Sequence, residues 1–148
     1  MLEYSDIYVI SDKRDRKTIE KFLNDFLPNR EESADEYEVP QYSDNPEVIF
    51  GKAAELIDYC EKNTNIEHAI YWRATENSEP EHGMVFYLKD GFVVYGLSTD
   101  ASNQEYAAAL LNELKEYFST THGYIGHEAS PDVESYSEFL RQEVAHQP

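Results

Sequence analysis

Three runs of β-branched and aromatic residues follow one another closely, and they constrain the fold more than any other feature of the chain. The runs are EHAIYWRAT (67–75), GMVFYLKD (83–90) and FVVYGLST (92–99). Each run is typical of a β-strand, and the tripeptide KDG predicts a hairpin turn between the last two. Connections this short join antiparallel neighbours, because a parallel pair needs a crossover of about a dozen residues. The last two runs are apolar almost throughout, so we expect both faces of these strands to be largely covered.

The remaining patterns predict further strands and four helices around this meander. SDIYVIS (5–11) is typical of a buried strand, and HGYIGHE (122–128) of a short one. Apolar residues at helical spacing, together with capping signals such as SNQE at 102–105, predict the helices. The helices are expected over 16–27 and 46–62, from Ser102 onward and from Ser130 onward.

Strands that run consecutively, rather than alternating with helices, indicate an α+β fold. We therefore predict a single layer of mainly antiparallel sheet, made of the three-strand meander and the N-terminal strand, packed against about four helices. A chain of 148 residues has the size of one domain. The prediction is one globular domain over 1–148, with an acidic loop at 29–45 and a frayed C-terminal tail at 145–148.

The chain carries 30 acidic and 12 basic residues, which gives a formal net charge of −18. Proteins that hold nucleic acid neutralise its phosphates with Lys and Arg, so we expect no direct nucleic-acid binding. The sequence has no apolar run long enough to span a bilayer and no leader-like N-terminus, so we expect neither membrane association nor secretion. The single cysteine, Cys60, excludes a disulfide within the chain, and the cytoplasm is the expected location.

None of the usual catalytic signatures occurs in the sequence. There is no glycine-rich phosphate loop, no GxSxG elbow and no HExxH pair. The five histidines lack the spacing of metal ligands, and Cys60 lies on the apolar stripe of its predicted helix, which indicates an inert thiol. We therefore expect no catalytic residue, no metal and no cofactor, and we favour a nonenzymatic protein.

Acidic residues concentrate between residues 31 and 61, where ten acids accompany one base, Lys52. Tyrosines stand among them, and aromatic anchors within a charged surface are typical of interfaces, where charge accelerates encounter. The competing interpretation is a solvated surface that only keeps the protein soluble. Under the interface hypothesis a basic protein partner contacts Glu31, Glu32, Asp35, Glu36, Tyr37, Glu38, Tyr42, Asp44, Asp58 and Tyr59.

In size, charge and single-domain organisation the chain is similar in kind to bacterial immunity proteins, which neutralise toxins. This similarity rests on no motif and assigns no site residue. It implies an inhibitor whose acidic surface occupies the cationic groove in which a partner would otherwise hold phosphate.

A second hypothesis is a small-molecule sensor or enzyme with a pocket on the face of the sheet. Its predicted residues are Trp72, Arg73, Tyr87 and Tyr95. Arg73 is a charged residue in an otherwise apolar and aromatic strand, and it could anchor an anionic group.

The charge also bears on self-association. Copies that each carry −18 repel one another, so any homodimer must bury an apolar face of the sheet or a helix rather than the acidic loop. The expected state is a monomer or a weak homodimer.

Overall fold

The computed structural model describes residues 3–147 and folds them into strands and helices that alternate irregularly along the chain. In chain order these elements are β1 (Tyr4–Ser11), α1 (Arg16–Phe26), β2 (Arg30–Glu32), β3 (Tyr37–Val39), β4 (Val48–Phe50), α2 (Ala53–Lys62), β5 (His68–Ala74), β6 (His82–Tyr87), β7 (Val93–Asp100), α3 (Gln104–Tyr117), β8 (Gly123–Gly126) and α4 (Tyr136–Ala145). Six strands form one sheet in the order β2-β5-β6-β7-β1-β8, and β3 pairs with β4 in a small second sheet. The predicted α+β class, the antiparallel meander β5-β6-β7 and its N-terminal strand are confirmed.

α1 and α3 begin at residues whose side chains accept a first-turn amide. The Asp15 carboxylate accepts from the Thr18 amide at 3.1 Å, and the Asn103 side-chain oxygen accepts from the Tyr106 amide at 3.0 Å. The predicted cap of α3, Ser102, is therefore wrong by one position, because Asn103 presents an equally good acceptor to the same turn.

The last helix also begins later than predicted. Ser135, rather than Ser130, caps α4 by accepting from the Glu138 amide at 3.2 Å. Pro131 and Val133 are buried in the extended segment before the helix, and Val133 belongs to the same apolar cluster as the α4 core residue. Tertiary burial of this segment therefore overrides the local signal for a helix start.

α2 begins at Ala53, so the predicted helix over 46–62 is wrong in its first part. Residues 48–50 form β4 and pair with β3, with Tyr37 opposite Phe50. The Ala53 amide donates to a Glu32 carboxylate oxygen at 2.8 Å, so a distant acid replaces a local cap. The pairing of β4 with β3 is a tertiary contact, which the Asn-Pro start signal at 45–46 does not report.

At the C-terminal end, α4 runs to Ala145, and the His146 ring stacks on Tyr124 with centroids 4.5 Å apart. Pro148, the last residue of the predicted frayed tail, lies outside the described residues. Between residues 3 and 147, no helix combines the length and the apolar character needed to cross a membrane.

One side of the six-stranded sheet, which we call the covered face, packs against α1, α2 and α3. Alternation along β1, β5, β6 and β7 directs Ile7, Ile70, Val85 and Tyr95, among others, into this core. Aromatic rings fill its centre: Tyr95 stacks on Phe118 at 4.1 Å between centroids, and Phe22 of α1 meets Tyr95 edge-on at 5.1 Å.

The opposite side of the sheet, which we call the open face, is covered only at one end. There Phe139 of α4 packs against Tyr124, and Tyr8 packs against Tyr124 at 5.5 Å between centroids. Val133, from the segment before α4, joins this smaller cluster. Toward the middle of β5 and β6 the open face emerges from under α4, and Tyr71 has 38 % of its surface exposed.

Candidate functional site

Tyr37, an expected anchor of the acidic loop, is buried. Its hydroxyl donates to a Glu32 carboxylate oxygen at 2.9 Å, and the same oxygen accepts from the Ala53 amide. Burial, followed by the contact with Glu32, raises the pKa of Tyr37. Tyr37 and Glu32 therefore fasten the loop to the start of α2, and the Tyr37 ring is not presented to a partner.

Three other predicted partner-binding residues also make contacts within the protein. Glu31 pairs with Arg73, Asp58 pairs with Arg16 at 2.8 Å, and the half-buried Tyr59 packs against Phe50. The remaining members of the predicted set are Asp35, Glu36, Glu38, Tyr42 and Asp44. Of these, Tyr42 has 82 % of its surface exposed to solvent, so it is the tyrosine of the loop that can serve as an anchor.

Tyr42 is held in place by hydrogen bonds between its loop and β5. Gln41 accepts from the Ala69 amide at 2.8 Å and donates to the Ala69 carbonyl at 3.2 Å. The His68 ring nitrogen Nε2 lies 2.9 Å from the Glu38 carbonyl oxygen. The predicted acidic loop is thus tied to the sheet, and this tie sets Tyr42 beside the open face.

The predicted alternative pocket does not form around its four residues. Trp72, Tyr87 and Tyr95 point to the covered face and are buried in the core under the helices. Arg73 lies on the opposite side of the sheet, where it is exposed and paired with Glu31. A strand alternates its side chains between faces, so Trp72 and Arg73 cannot line one pocket on the sheet.

The open face instead carries a row of polar side chains that crosses the sheet. Strand register sets Asp6 opposite Ser98, Ser98 opposite His82, His82 opposite Arg73, and Arg73 opposite Glu31. The His82 nitrogen Nδ1 lies 2.7 Å from the Ser98 hydroxyl. Residues distant in sequence are thus brought side by side by pairing alone.

A row of large side chains runs next to the polar row. Together with Asp6, Ser98 and His82 of the polar row, it lines a cleft of about 510 Å³. The second row contains Tyr8, Met84 and Tyr71, which are also set by strand register. Asp6 lies at the polar side of this cleft and is 7 % exposed. Burial, followed by the charge of Glu128, raises the pKa of Asp6, although nearby backbone amides act in the opposite direction.

This cleft continues into a second cavity of about 360 Å³ between the acidic loop and β5. Tyr71 lines both cavities, and the exposed Tyr42 lines the second. The pKa of Tyr71 is raised first by burial and then by Tyr42, which lines the second cavity with it. A third cavity of about 270 Å³ adjoins these two and is lined by Tyr42, Tyr71, Phe86 and residues 130–134, among others. We call the three cavities together the tyrosine groove; its large aromatic and apolar residues include Tyr4, Tyr8, Tyr42, Tyr71, Met84 and Phe86.

Acidic side chains line the tyrosine groove along its length. They are Asp6, Glu36, Glu38, Glu67, Glu128, Asp132 and Glu134. Glu134 also lies 3.7 Å from Lys89 at the outer rim. Among the residues the structure describes, no Lys or Arg lines any of the three cavities that make up the groove. The groove therefore combines aromatic surface with a negative potential, which Lys89 offsets at Glu134 on the rim.

The polar row does not have the arrangement of a hydrolytic triad. Such a triad needs the acid behind the histidine, where it orients the ring and stabilises its charged form. Here Asp6 lies beside Ser98 instead, on the side away from His82. A carboxylate in that position would repel the negative charge that develops when a serine attacks a carbonyl carbon. The geometry favours binding over nucleophilic catalysis.

Sequence reasoning did not identify Asp6, Tyr71 or His82 as parts of one site. The signal for Asp6 is its position two residues before Tyr8 in a strand, because side chains two apart share one face of a sheet. No local pattern shows that Ser98 and His82 lie beside it, because that depends on the register of three strands.

Comparisons with protein-family models, curated proteins and solved structures found no match. Between residues 3 and 147, no group of three or more His, Cys, Asp or Glu side chains is arranged to hold a metal ion. The charge and shape of the tyrosine groove are therefore the observations from which a function can be argued.

Proposed function

We propose that the protein is a nonenzymatic interaction module that binds a basic segment of another protein in the tyrosine groove. The observation that carries this proposal is the composition of the groove, in which acids line an aromatic floor without a basic side chain among the described residues. Lys and Arg combine a cationic head with an apolar stem, so a segment rich in them matches both properties of the surface.

The exposure of Tyr42 and Tyr71 supports this proposal. Tyrosines are favoured at the centres of interfaces because they bury a large area and offer a hydroxyl for hydrogen bonding. Tyr42 adopts a left-handed backbone conformation, with φ at 64°, and gains little packing in return because its ring is exposed. Unfavourable backbone conformations cluster at functional positions, so we infer that the Tyr42 ring gains its packing from a partner.

Charge complementarity selects the class of partner. A net charge of −18 attracts a cationic protein over a distance of roughly a Debye length, about 8 Å at physiological salt. A partner that uses the same basic segment to hold phosphate would be inhibited by occupation of that segment. The immunity-type role inferred from size and charge belongs to this proposal, with the binding surface centred on Tyr42 and Tyr71.

The proposal can be tested with a short fluorescent peptide that alternates arginine and leucine, titrated with the protein at several salt concentrations. We expect saturable binding that weakens as salt rises. Tyr71→Ala should weaken binding roughly tenfold or more, the size of a hot-spot loss. Ile49→Ala is the matched control, because Ile49 is an exposed apolar residue that does not line the groove.

A second pair of variants separates a specific groove from general attraction to an acidic protein. Glu36→Gln with Asp132→Asn removes two charges from the groove, whereas Glu113→Gln with Glu116→Gln removes two from the exposed side of α3. We expect the first pair to weaken binding clearly more than the second. Equal losses in both pairs, or an unchanged affinity in Tyr71→Ala, would contradict the assignment of the groove.

A further inference from the structure

The cleft of about 510 Å³ has an unusual group at its polar end, a buried carboxylate. Asp6 is 7 % exposed, and in the described part of the chain it forms no ion pair with Lys, Arg or His. Glu128 adds a second negative charge to the same cleft. The Glu128 and Ala129 amides hydrogen-bond to the Asp6 carboxylate but do not neutralise its charge. Buried charges are usually paired, so this carboxylate still lacks the cation that a bound partner could supply.

Neither His127 nor Arg73 pairs with Asp6: the charge of His127 lowers the pKa of Asp6 from beyond ion-pair distance, and two strands separate Arg73 from it. His82 and Ser98 lie between Arg73 and Asp6 in the polar row. Arg73 is also engaged by Glu31 on its other side. The sheet therefore keeps its own guanidinium away from Asp6.

The hydrogen-bonding groups around Asp6 are mostly left as acceptors. The Tyr8 hydroxyl donates its proton to the Ala129 carbonyl at 2.7 Å, so the lone pairs of its oxygen remain for another donor. When the His82 ring carries its proton on Nε2, its Nδ1 accepts a hydrogen bond from the Ser98 hydroxyl. The Ser98 oxygen then keeps lone pairs that can accept from a ligand. A carboxylate and two hydroxyl oxygens that can accept suit a ligand group made only of donors.

The walls of the cleft favour a flat cation over a compact one. Tyr4 and Tyr71 line it with rings that keep exposed surface, and aromatic faces attract cations. A guanidinium is planar, carries five donors and no acceptor, stacks on aromatic rings and is more weakly hydrated than an ammonium. These are the properties that the acceptors and the tyrosines of this cleft match together.

Building on the proposed function, we infer that this end of the tyrosine groove is a subsite for an arginine side chain of the basic segment, with Asp6 accepting from the guanidinium and the tyrosine rings flanking it. Lysine reaches the same carboxylate as a point charge but cannot stack or bond bidentately. The subsite therefore makes the groove selective for arginine rather than for positive charge in general.

The test compares two fluorescent peptides that are identical except that every arginine of one is lysine in the other. We expect the wild-type protein to bind the arginine peptide about tenfold more tightly, a difference of about 1.4 kcal/mol. In Asp6→Asn this preference should fall to near parity, while residual salt-dependent binding of both peptides persists. Asp35→Asn is the matched control, since Asp35 is exposed and lies outside the groove, and it should keep the preference.

The possible outcomes separate the subsite from the groove. If Asp6→Asn keeps the preference for arginine while Tyr71→Ala abolishes binding, the subsite is wrong and the groove stands. If neither peptide binds the wild-type protein saturably, the proposed function itself is wrong. Direct titration with ethylguanidinium and ethylammonium gives a second readout, in which only the guanidinium should shift the amide NMR signals of Asp6, Ser98 and His82, and equal shifts with both cations overturn the selectivity.

Discussion

The two faces of the central sheet use the same kinds of residue for different purposes. On the covered face, Phe22, Tyr95 and Phe118 form a closed aromatic cluster under the helices. On the open face, Tyr71 remains partly exposed beside a row of polar side chains. The comparison shows that aromatic content does not distinguish the core from the exposed surface in this chain; what distinguishes them is whether a helix packs on top.

The largest effect should come from opening the covered face. Phe22→Ala removes a fully buried ring that contacts Tyr95, Phe26 and Phe118, so we expect a loss of about 3–5 kcal/mol in the free energy of unfolding. Urea denaturation followed by circular dichroism measures it. Tyr71→Ala on the open face is the counterpart and should lose much less stability. Similar losses in both variants would mean that the two faces do not differ as described.

The second prediction compares Arg14, in the segment between β1 and α1, with Arg73 on the open face. Arg14 is 91 % buried, stacks over the Tyr87 ring at 4.9 Å, and donates to the Cys60 carbonyl at the end of α2 at 2.6 Å. Hydrogen bonds from a charged group contribute about 1.5–3 kcal/mol, so Arg14→Ala should lower stability by about 2 kcal/mol or more. Arg73→Ala on the open face breaks an exposed pair and should cost less than about 1 kcal/mol.

Lys13→Ala is the control for Arg14, because Lys13 is the exposed neighbour on the same segment and its substitution removes the same charge. It should leave the urea midpoint nearly unchanged. A midpoint in Arg14→Ala that matches the one in Lys13→Ala would show that the contact with the α2 carbonyl does not stabilise the fold.

The sequence predicted the meander and the helices α1 and α3 because their signals are local. Apolar spacing and a three-residue turn determine where a strand or helix lies, whatever packs against it. The starts of α2 and α4 were mispredicted for the opposite reason. β4 forms because residues 48–50 pair with residues 37–39, which are distant in sequence. The segment before α4 stays extended because Val133 is buried.

The candidate site was less predictable from sequence than the fold, for two physical reasons. Whether a tyrosine is exposed depends on the elements that cover it, so Tyr37 and Tyr42 look alike in sequence although one is buried and the other is exposed. Which residues neighbour one another on a sheet depends on register, and Asp6, His82 and Ser98 come from three strands. Composition indicated the acidic and aromatic character of the surface but not its position.

The third prediction concerns how ionisation of Asp6, the buried acid of the open face, changes the stability of the folded protein. The pKa of Asp6 is raised by burial and by Glu128, from an ordinary value of 3.8, so the folded state binds this proton more tightly than the unfolded state does. Ionised Asp6 therefore lowers stability at neutral pH, and Asp6→Asn should raise the melting temperature at pH 7. The gain should shrink as pH falls through the raised pKa towards 3.8, where both states of the wild-type protein become protonated.

Thermal unfolding of the wild type, Asp6→Asn and Asp35→Asn at a series of pH values tests this expectation. The exposed Asp35 controls for removing one charge from an acidic protein, a change that by itself reduces general repulsion. A gain in Asp6→Asn no larger than in Asp35→Asn would mean that Asp6 is not destabilising. A larger gain, combined with lost selectivity for arginine, would show that the site retains an unfavourable carboxylate for binding.

The smallest effect on stability is expected at Tyr42, where the open face extends into the acidic loop. A left-handed conformation costs a non-glycine residue about 1 kcal/mol, and the exposed ring of Tyr42 returns little of this through packing. Tyr42→Gly removes the unfavourable conformation but gains freedom in the unfolded state, so the urea midpoint should rise slightly or stay unchanged. Tyr42→Ala keeps the left-handed conformation without the ring and should be the less stable of the two.

Both variants should lose the same affinity for the basic peptide if the ring is the anchor, because both lack it. A loss confined to one variant would instead assign the effect to the backbone of the loop, and the contrast between a packed and a presented tyrosine would no longer hold at this position.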